Sequence, residues 1–236
     1  MSGHSKWAQI KHKKAVVDAK RSNLFSKLVR AIMIAARTGE NPDMNPRLKL
    51  EIDRAREFNM PAENIERAIK KATSAKEADL LSEVLYEAYG PGGVAILIEG
   101  VTDNKNRTAA EIKRILADHG GKLAEAGSVQ WLFERKAILI ADAFHSDEIE
   151  LGLIDAGAED ISHEADATLI LSPFEIKEIL AYKLRELDIS LREMKAVYLP
   201  KNKVARGLEA DRLASLVEAL ETHDDVLSVW TNTAED

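Results

Sequence analysis

Eight cations fall between residues 2 and 30: Lys6, Lys11, Lys13, Lys14, Lys20, Arg21, Lys27 and Arg30, against a single acid, Asp18. The segment also carries His4, Trp7 and His12. These residue types suit one chemistry above others, the neutralisation of phosphates on a polyanion. Trp7 has no evident apolar neighbours in sequence. Its ring can stack on an exposed base or anchor the segment on a nearby apolar surface; both readings stay open. His4 and His12 have no Asp, Glu or Cys at ligand spacing, and their cationic neighbours repel a metal, so they read as phosphate donors or exposed side chains.

A second place for anion chemistry is "TDNKNRT", residues 102–108, between an expected strand and an expected helix. Free backbone N–H groups and the helix dipole attract anions there, and Lys105 and Arg107 add charge beside Asn104. The competing reading is ordinary capping by Thr102, Asp103 or Asn104. "YGPGG" has neither the Lys-[Ser/Thr] of a P-loop nor dinucleotide-fingerprint spacing, and it precedes a strand, so it reads as a tight turn. Catalytic signals are thin. His119 reads as a helix C-terminus, His145, His163 and His223 are scattered among acids, and Asp224 and Asp225 form a short acidic turn. No nucleophile–base pair, carboxylate pair or metal motif stands out by local spacing. No cofactor and no metal are expected.

The chain that must position these groups has 236 residues, 45% hydrophobic and 31% charged, enough for a packed core and one to three domains. It has no cysteine, which excludes disulfides, thiolate catalysis and Cys-based metal sites. No apolar run of signal-peptide length follows Met1, and the longest apolar stretches are strand-sized, so a cytoplasmic, membrane-free monomer is the expectation. Formal net charge is -7, unevenly placed. Residues 1–76 hold 17 Lys and Arg against 8 Asp and Glu, and residues 77–236 hold 16 against 32. A basic end on an acidic body suits a polyanion partner met in one orientation.

Residues 1–20 lack sustained periodicity and read as a basic arm. From Arg21, Leu24, Phe25, Leu28, Val29, Ile32, Ala35 and Ala36 make one apolar helix face that Gly39 stops. On the opposite face, Lys20, Lys27, Arg30 and Arg37 form a positive stripe. Asn45 caps a second helix with Pro46 in its first turn, and Pro61 opens a third, so residues 21–76 read as a helical bundle. After the linker "TSAKEADLLSE" the period changes. Strands are expected over "EVLYEAYG", "GGVAILIEGV" and "GSVQWLFER", with a helix over "TDNKNRTAAEIKRILADHGG". Residues 136–200 follow the order βαββαβ of a ferredoxin-like unit. A last helix and strand, "GLEADRLASLVEALETH" and "DVLSVWTN", complete the unit left open at Arg135. The expected fold is therefore α/β: a three-helix domain, then two ferredoxin-like α/β domains. The second of these, 136–200, is inserted in the first, 77–135 plus 201–236.

The motifs "GHSKW", "IKHKK", "DAKR", "LFSKL", "NPRL", "NMP…NIERAIKK", "YEAYGPGG", "TDNKNRTAAE", "GSVQWLFER" and "DDVLSVWTN" together resemble the YebC family, which also includes a mitochondrial translational activator of cytochrome oxidase subunit I. The resemblance runs over nearly the whole chain. It implies a three-domain α/β protein with an N-terminal helical domain and no established enzymatic activity. Bacterial members are described as DNA-binding transcriptional regulators. Others look like translation factors that bind the ribosome and help it through proline runs. The family's basic motif maps onto His4, Lys6, Trp7, Lys11, His12, Lys13, Lys14, Lys20 and Arg21, with "VVDAKRSN" standing where alanine- and glycine-rich variants occur.

The expectation is a non-enzymatic nucleic-acid-binding regulator of gene expression. A DNA-binding transcriptional regulator comes first and a ribosomal-RNA-binding translation factor second. A ligand-binding protein or enzyme using the cleft between the α/β domains comes third. Its grip is expected from His4, Lys6, Trp7, Lys11, His12, Lys13, Lys14, Lys20, Arg21, Lys27, Arg30 and Arg37, with Asn104, Lys105 and Arg107 as a secondary anion site.

Overall fold

The computed structural model of the chain describes residues 21–73, 81–205, 207 and 209–234. The arm over 1–20 and most of the expected linker lie outside them.

Three helices come first: α1 (Arg21–Ala36), α2 (Pro46–Glu57) and α3 (Ala62–Thr73). Leu28, Ile32, Leu48, Ile52, Ile65 and Ala68 share one buried core, as their spacing requires. Asn45 does more than cap α2. Its side-chain oxygen accepts the Leu48 N–H at 3.1 Å, while its Nδ2 donates to the Ala35 and Gly39 carbonyls at 2.8 and 2.7 Å. One buried amide thus satisfies the start of α2 and the orphan carbonyls at the end of α1.

Two α/β units follow. The first contains β1 (Ser82–Tyr89), β2 (Ala95–Thr102), α4 (Lys105–Asp118), β3 (Lys122–Leu123), α7 (Ala210–Glu221) and β8 (Val226–Thr231). Its antiparallel sheet has the order β3-β1-β2-β8. Between β3 and α7 the chain makes the second unit: β4 (Phe133–Asp142), α5 (Asp147–Asp155), β5 (Asp160–His163), β6 (Ala167–Pro173), α6 (Lys177–Glu186) and β7 (Leu191–Pro200). Its order, β5-β6-β4-β7, is the ferredoxin-like one. β8 follows the whole inserted unit in sequence and still pairs with β2, Ile98 opposite Val229.

The apolar runs "AILI" at 95–98 and "AILI" at 137–140 are buried on both faces, and the architecture explains why. Ile96 and Ile98 point to Ile112 and Leu116 of α4 and Leu216 and Leu220 of α7. Ala95 and Leu97 point the other way, onto Ile138, Leu169, Val197 and Trp230. Leu139 and Ala141 in turn face Leu153, Leu180 and Leu184 of α5 and α6. The layers therefore run helices, sheet, sheet, helices, and period 2 disappears because both strand faces are covered. Each fully buried Leu or Ile contributes about 1.5–3 kcal/mol.

The strand expected over "GSVQWLFER" forms only at its end: Gln130–Leu132 make a short 3₁₀ turn, and β4 starts at Phe133 and runs unbroken through Arg135 to Asp142. The cause lies forty residues away. The buried carboxylate of Glu87 accepts the backbone N–H groups of Gly127, Val129 and Gln130 at 2.5, 2.5 and 2.8 Å, taking the donors a ladder needs. Burial alone would raise the Glu87 carboxyl, but these three bonds hold it below its ordinary value. Pro173 ends β6 rather than starting α6, which begins at Lys177 after a turn at Phe174–Ile176. The two-residue β3, paired with Ala88 and Tyr89 of β1, is too short to leave a periodic signal.

Candidate nucleic-acid interface

His4, Lys6, Trp7, Lys11, His12, Lys13, Lys14 and Lys20 lie outside the described residues. Arg21 is the first residue of α1. Of the other three members of the expected stripe, Lys27 and Arg30 face the first α/β unit, while Arg37 is exposed. Lys27 Nζ donates to the Glu221 carbonyl at 2.5 Å, which places a cation on the C-terminal end of α7, where the helix dipole favours it. Burial pushes the Lys27 amine down from its ordinary value, against the opposing pull of Glu221 and Asp224. Arg37 donates to the Leu81 carbonyl at 2.5 Å. Arg30 meets the Asp225 carboxylate at 2.6 Å and donates to the Asp224 carbonyl. Two further cations of the helical domain reach the α/β units, Arg47 to Glu83 on β1 at 3.1 Å and Arg54 to Glu193 on β7 of the second unit at 3.9 Å.

The expected anion site at "TDNKNRT" also has an occupant within the chain. Asn104 caps α4, its side chain accepting the Arg107 N–H at 3.1 Å. Lys105 is exposed, and its carbonyl accepts the Tyr86 hydroxyl at 3.2 Å. Arg107 donates to Asp103 at 2.7 Å and to Asp225 at 3.2 Å. The anion at the head of α4 is the side chain of Asp225, which is only 3% exposed.

Asp225 is the hub that sequence reading missed. Its carboxylate accepts from Arg30, from Arg107 and from the Thr108 hydroxyl, the last at 2.5 Å. Behind it, the Asn104 N–H donates to the Thr102 hydroxyl at 2.9 Å, the Thr102 and Thr108 hydroxyls lie 2.7 Å apart, and Thr108 donates to Asp225, which as a carboxylate can only accept. Burial by itself would raise this carboxyl; the Thr108 bond, the Arg30 charge, Thr102 and Arg107 outweigh it and hold it below its ordinary 3.8. The backbone of the acidic turn is tied in as well. Asp225 N–H donates to Nδ1 of His223 at 3.1 Å, and Nε2 of His223 meets Glu111 at 2.9 Å. The Asp225 carbonyl accepts the Val101 N–H at 2.8 Å beside a bulge at Glu99/Gly100.

Gly100 is the position that lets this turn approach. A Cβ placed there would sit 2.5 Å from the Asp225 carbonyl oxygen, a backbone atom with no rotamer to escape into. Gly100→Ala is therefore expected to cost about 1–3 kcal/mol by overpacking, read as a lower urea midpoint at unchanged slope. A midpoint equal to that of the parent chain would mean the turn moves freely.

The groove beside the seam is lined by Arg30, Asp103, Arg107, Glu111, Arg114 and His223. Within it Arg30 and Arg107 meet Asp225 and His223 meets Glu111, pairs suited to docking two parts of the chain. Among the described residues no group of three or more His, Cys, Asp or Glu could hold a metal ion.

Residues 5–75 match the model of the TACO1/YebC protein N-terminal domain, and residues 81–233 match that of the TACO1/YebC second and third domain. A probable transcriptional regulatory protein of Fervidobacterium nodosum is 49% identical over 98% of this chain and 93% of its own length. One of the same description from Carboxydothermus hydrogenoformans is 46% identical over 98% of each chain. The crystal structure of a conserved hypothetical protein from Aquifex aeolicus superposes with a TM-score of 0.80 at 41% identity, covering 98% of both chains. With both parts of the family's architecture matched and relatives this similar over nearly their full length, the chain belongs to the TACO1/YebC family.

Proposed function

We propose that this protein is a non-enzymatic, nucleic-acid-binding regulator of gene expression, acting in the cytoplasm as a monomer, with DNA as its first target. The observation that carries the reading is what remains of the positive charge once the helical domain is docked. Lys27, Arg30, Arg47 and Arg54 each bond to an α/β unit, and Arg56 and Arg67 pair with acids of their own helices, whereas the segment 1–20 holds five lysines against Asp18 alone. Phosphate contact is thereby assigned to His4, Lys6, Lys11, His12, Lys13, Lys14 and Lys20, with Trp7 available for stacking. Arg21, next in the chain, is assigned to the same contact. The acidic body repels the same polyanion and so sets the orientation of approach. The regulatory part of the reading is supported by the description of the 45–49% identical relatives as probable transcriptional regulatory proteins.

One observation favours a second reading, ribosomal RNA. Four residues join α2 to α3, the turn length of a helix-turn-helix. Yet the exposed start of α3 presents Glu63 and Glu66, and Arg67 is paired to Glu63 at 2.6 Å. A recognition helix reads bases with its N-terminal residues, and acids there meet a groove edged by phosphates. An arm gripping irregular RNA needs no such helix.

The test compares duplex binding with co-sedimentation on ribosomes, both at physiological salt. The first reading expects duplex binding with sequence preference. Co-sedimentation without any sequence preference on duplex DNA overturns it in favour of ribosomal RNA. A saturable small metabolite in the groove beside Arg107 would overturn both in favour of an enzyme or ligand-binding protein.

A further inference from the structure

Trp131 is 63% exposed, in a chain whose Trp230 is 7% exposed within the sheet–sheet core. Tryptophan offers the largest apolar surface of any residue, so leaving it in water forgoes stabilisation that burial would supply. Nothing about its turn is loose. Val129 and Phe133 on either side are buried in the core and anchor the turn at both ends. Glu87 holds three of the backbone N–H groups at 127–130. The indole Nε1–H donates to the Ser128 carbonyl at 3.0 Å, so the ring is fixed in one orientation and its polar atom needs no outside partner. The ring is held out, rigid, by a folded turn.

Its surroundings differ from the rest of the acidic body. The Tyr89 hydroxyl donates to the same Ser128 carbonyl at 3.2 Å, bringing a second aromatic to the turn. Lys122 lies 5.7 Å from the centre of the Tyr89 ring. On the other side, the Lys201 N–H donates to the Leu132 carbonyl at 2.9 Å, which sets the exposed "KNK" of residues 201–203 against the turn. Beside Tyr89 and Lys122 opens a cavity walled by Gly92, Gly93 and Gly120, and a Cβ added at Gly92 or Gly93 would meet no atom within 4 Å. Of the nearby acids, Glu87 is buried and bonded, Glu134 lies 3.4 Å from Lys136, and Glu125 is exposed.

We propose that Trp131 is a stacking platform for an unpaired base of a single-stranded nucleic acid, with Lys122 and Lys201 on the flanking phosphates. A rigid π-face with cations on neighbouring segments suits the holding of a single strand without sequence readout. The ring loses almost no freedom on binding because the turn has already fixed it. This site is separate from the docking seam, and it rests on the reading of the protein as nucleic-acid-binding. A base must be unstacked to reach it, so a fully paired duplex is a poor ligand.

The experiment uses the full chain labelled with 5-fluorotryptophan, whose three tryptophans give three ¹⁹F resonances; Trp131→Phe identifies the one from Trp131. The probes are an unstructured oligo-uridine and oligo-thymidine of equal length. The Trp131 resonance is expected to shift on saturation with either. Trp131→Leu is expected to weaken both by roughly tenfold, near the lower part of the range for one stacked base, while Trp131→Phe stays within about threefold. As an exposed position, Trp131 can be changed with little effect on melting temperature, which a thermal scan checks. If the chain binds the oligonucleotides with the Trp131 resonance unmoved and Trp131→Leu unaffected, this inference fails and the regulator reading stands; Trp131 is then a protein contact. If the chain binds neither oligonucleotide nor duplex, the regulator reading itself fails and takes the inference with it.

Discussion

Asp225→Ala is expected to lower stability by about 3–5 kcal/mol, the cost of removing one partner from a buried charge network. The carboxylate is 3% exposed and answers Arg30, Arg107 and Thr108 at once, so its loss leaves Arg30 with backbone carbonyls alone, Arg107 with Asp103 alone and Thr108 with the Asn104 carbonyl. Hydrogen exchange is expected to quicken first in α1 and at the start of α4, the two elements Asp225 joins. Asp225→Asn keeps the shape and removes the charge, so it should fall between the parent chain and the alanine variant. A loss under about 0.5 kcal/mol would show the seam to be held by packing alone. The same group gives the seam a pH dependence. Because the folded carboxyl lies below its ordinary 3.8, its stabilisation is fully present above that value. It is lost as pH falls through the lower folded value. Acid titration of the parent chain should therefore show loosening of α1 below about pH 3.8, and Asp225→Asn should lack that component. Glu87, also held below its ordinary 4.5, contributes an acid loss of its own that both chains share.

Changing Lys11, Lys13 and Lys14 together to alanine is expected to weaken nucleic-acid binding for every sequence alike. It should also flatten the plot of log affinity against log salt by roughly 2–3, at about 0.7–0.9 for each phosphate no longer neutralised. The uniformity matters as much as the size. Lysines that touch only phosphates carry no base information, so the ranking of sequences should survive the change. An unchanged slope would mean that these lysines do not touch phosphate. The same substitutions should leave the urea midpoint unmoved, which separates weakened binding from a weakened fold.

Local signals in the sequence were enough for most elements. Asn45-Pro46 marks the start of α2 because a capping amide and a residue without an N–H suit the same two positions. The positive stripe of Lys27, Arg30 and Arg37 was legible as a stripe, since helical spacing fixes which residues share a face. What that face meets is a property of the neighbour, and for Lys27 and Arg30 the neighbour is an acidic turn nearly two hundred residues later. The strand expected over "GSVQWLFER" starts only at Phe133 for the same kind of reason, because Glu87 takes its donors from a distance. At "TDNKNRT" a carboxylate of the same chain stands against Arg107, while Asn104 serves as a cap. Nothing in that segment says that the anion is Asp225, because the contact exists only once β8 has paired with β2.

That pairing has a consequence for the order in which the molecule is assembled as it is synthesised. The helical domain and the inserted βαββαβ unit are each continuous in the chain, so each can fold once its own residues have emerged. The first α/β unit cannot: its sheet lacks β8, and its helix layer lacks α7, until the inserted unit has been completed. Through most of synthesis β2 therefore stands as an open edge, with Ile96, Ile98 and Val101 awaiting partners, a site for mispairing. Asp225 arrives with the closing strand. Sheet closure and the clamping of Arg30 are thus one late event, and a nascent chain cut short before it would display Lys27 and Arg30 without the partners that hold them in the finished fold.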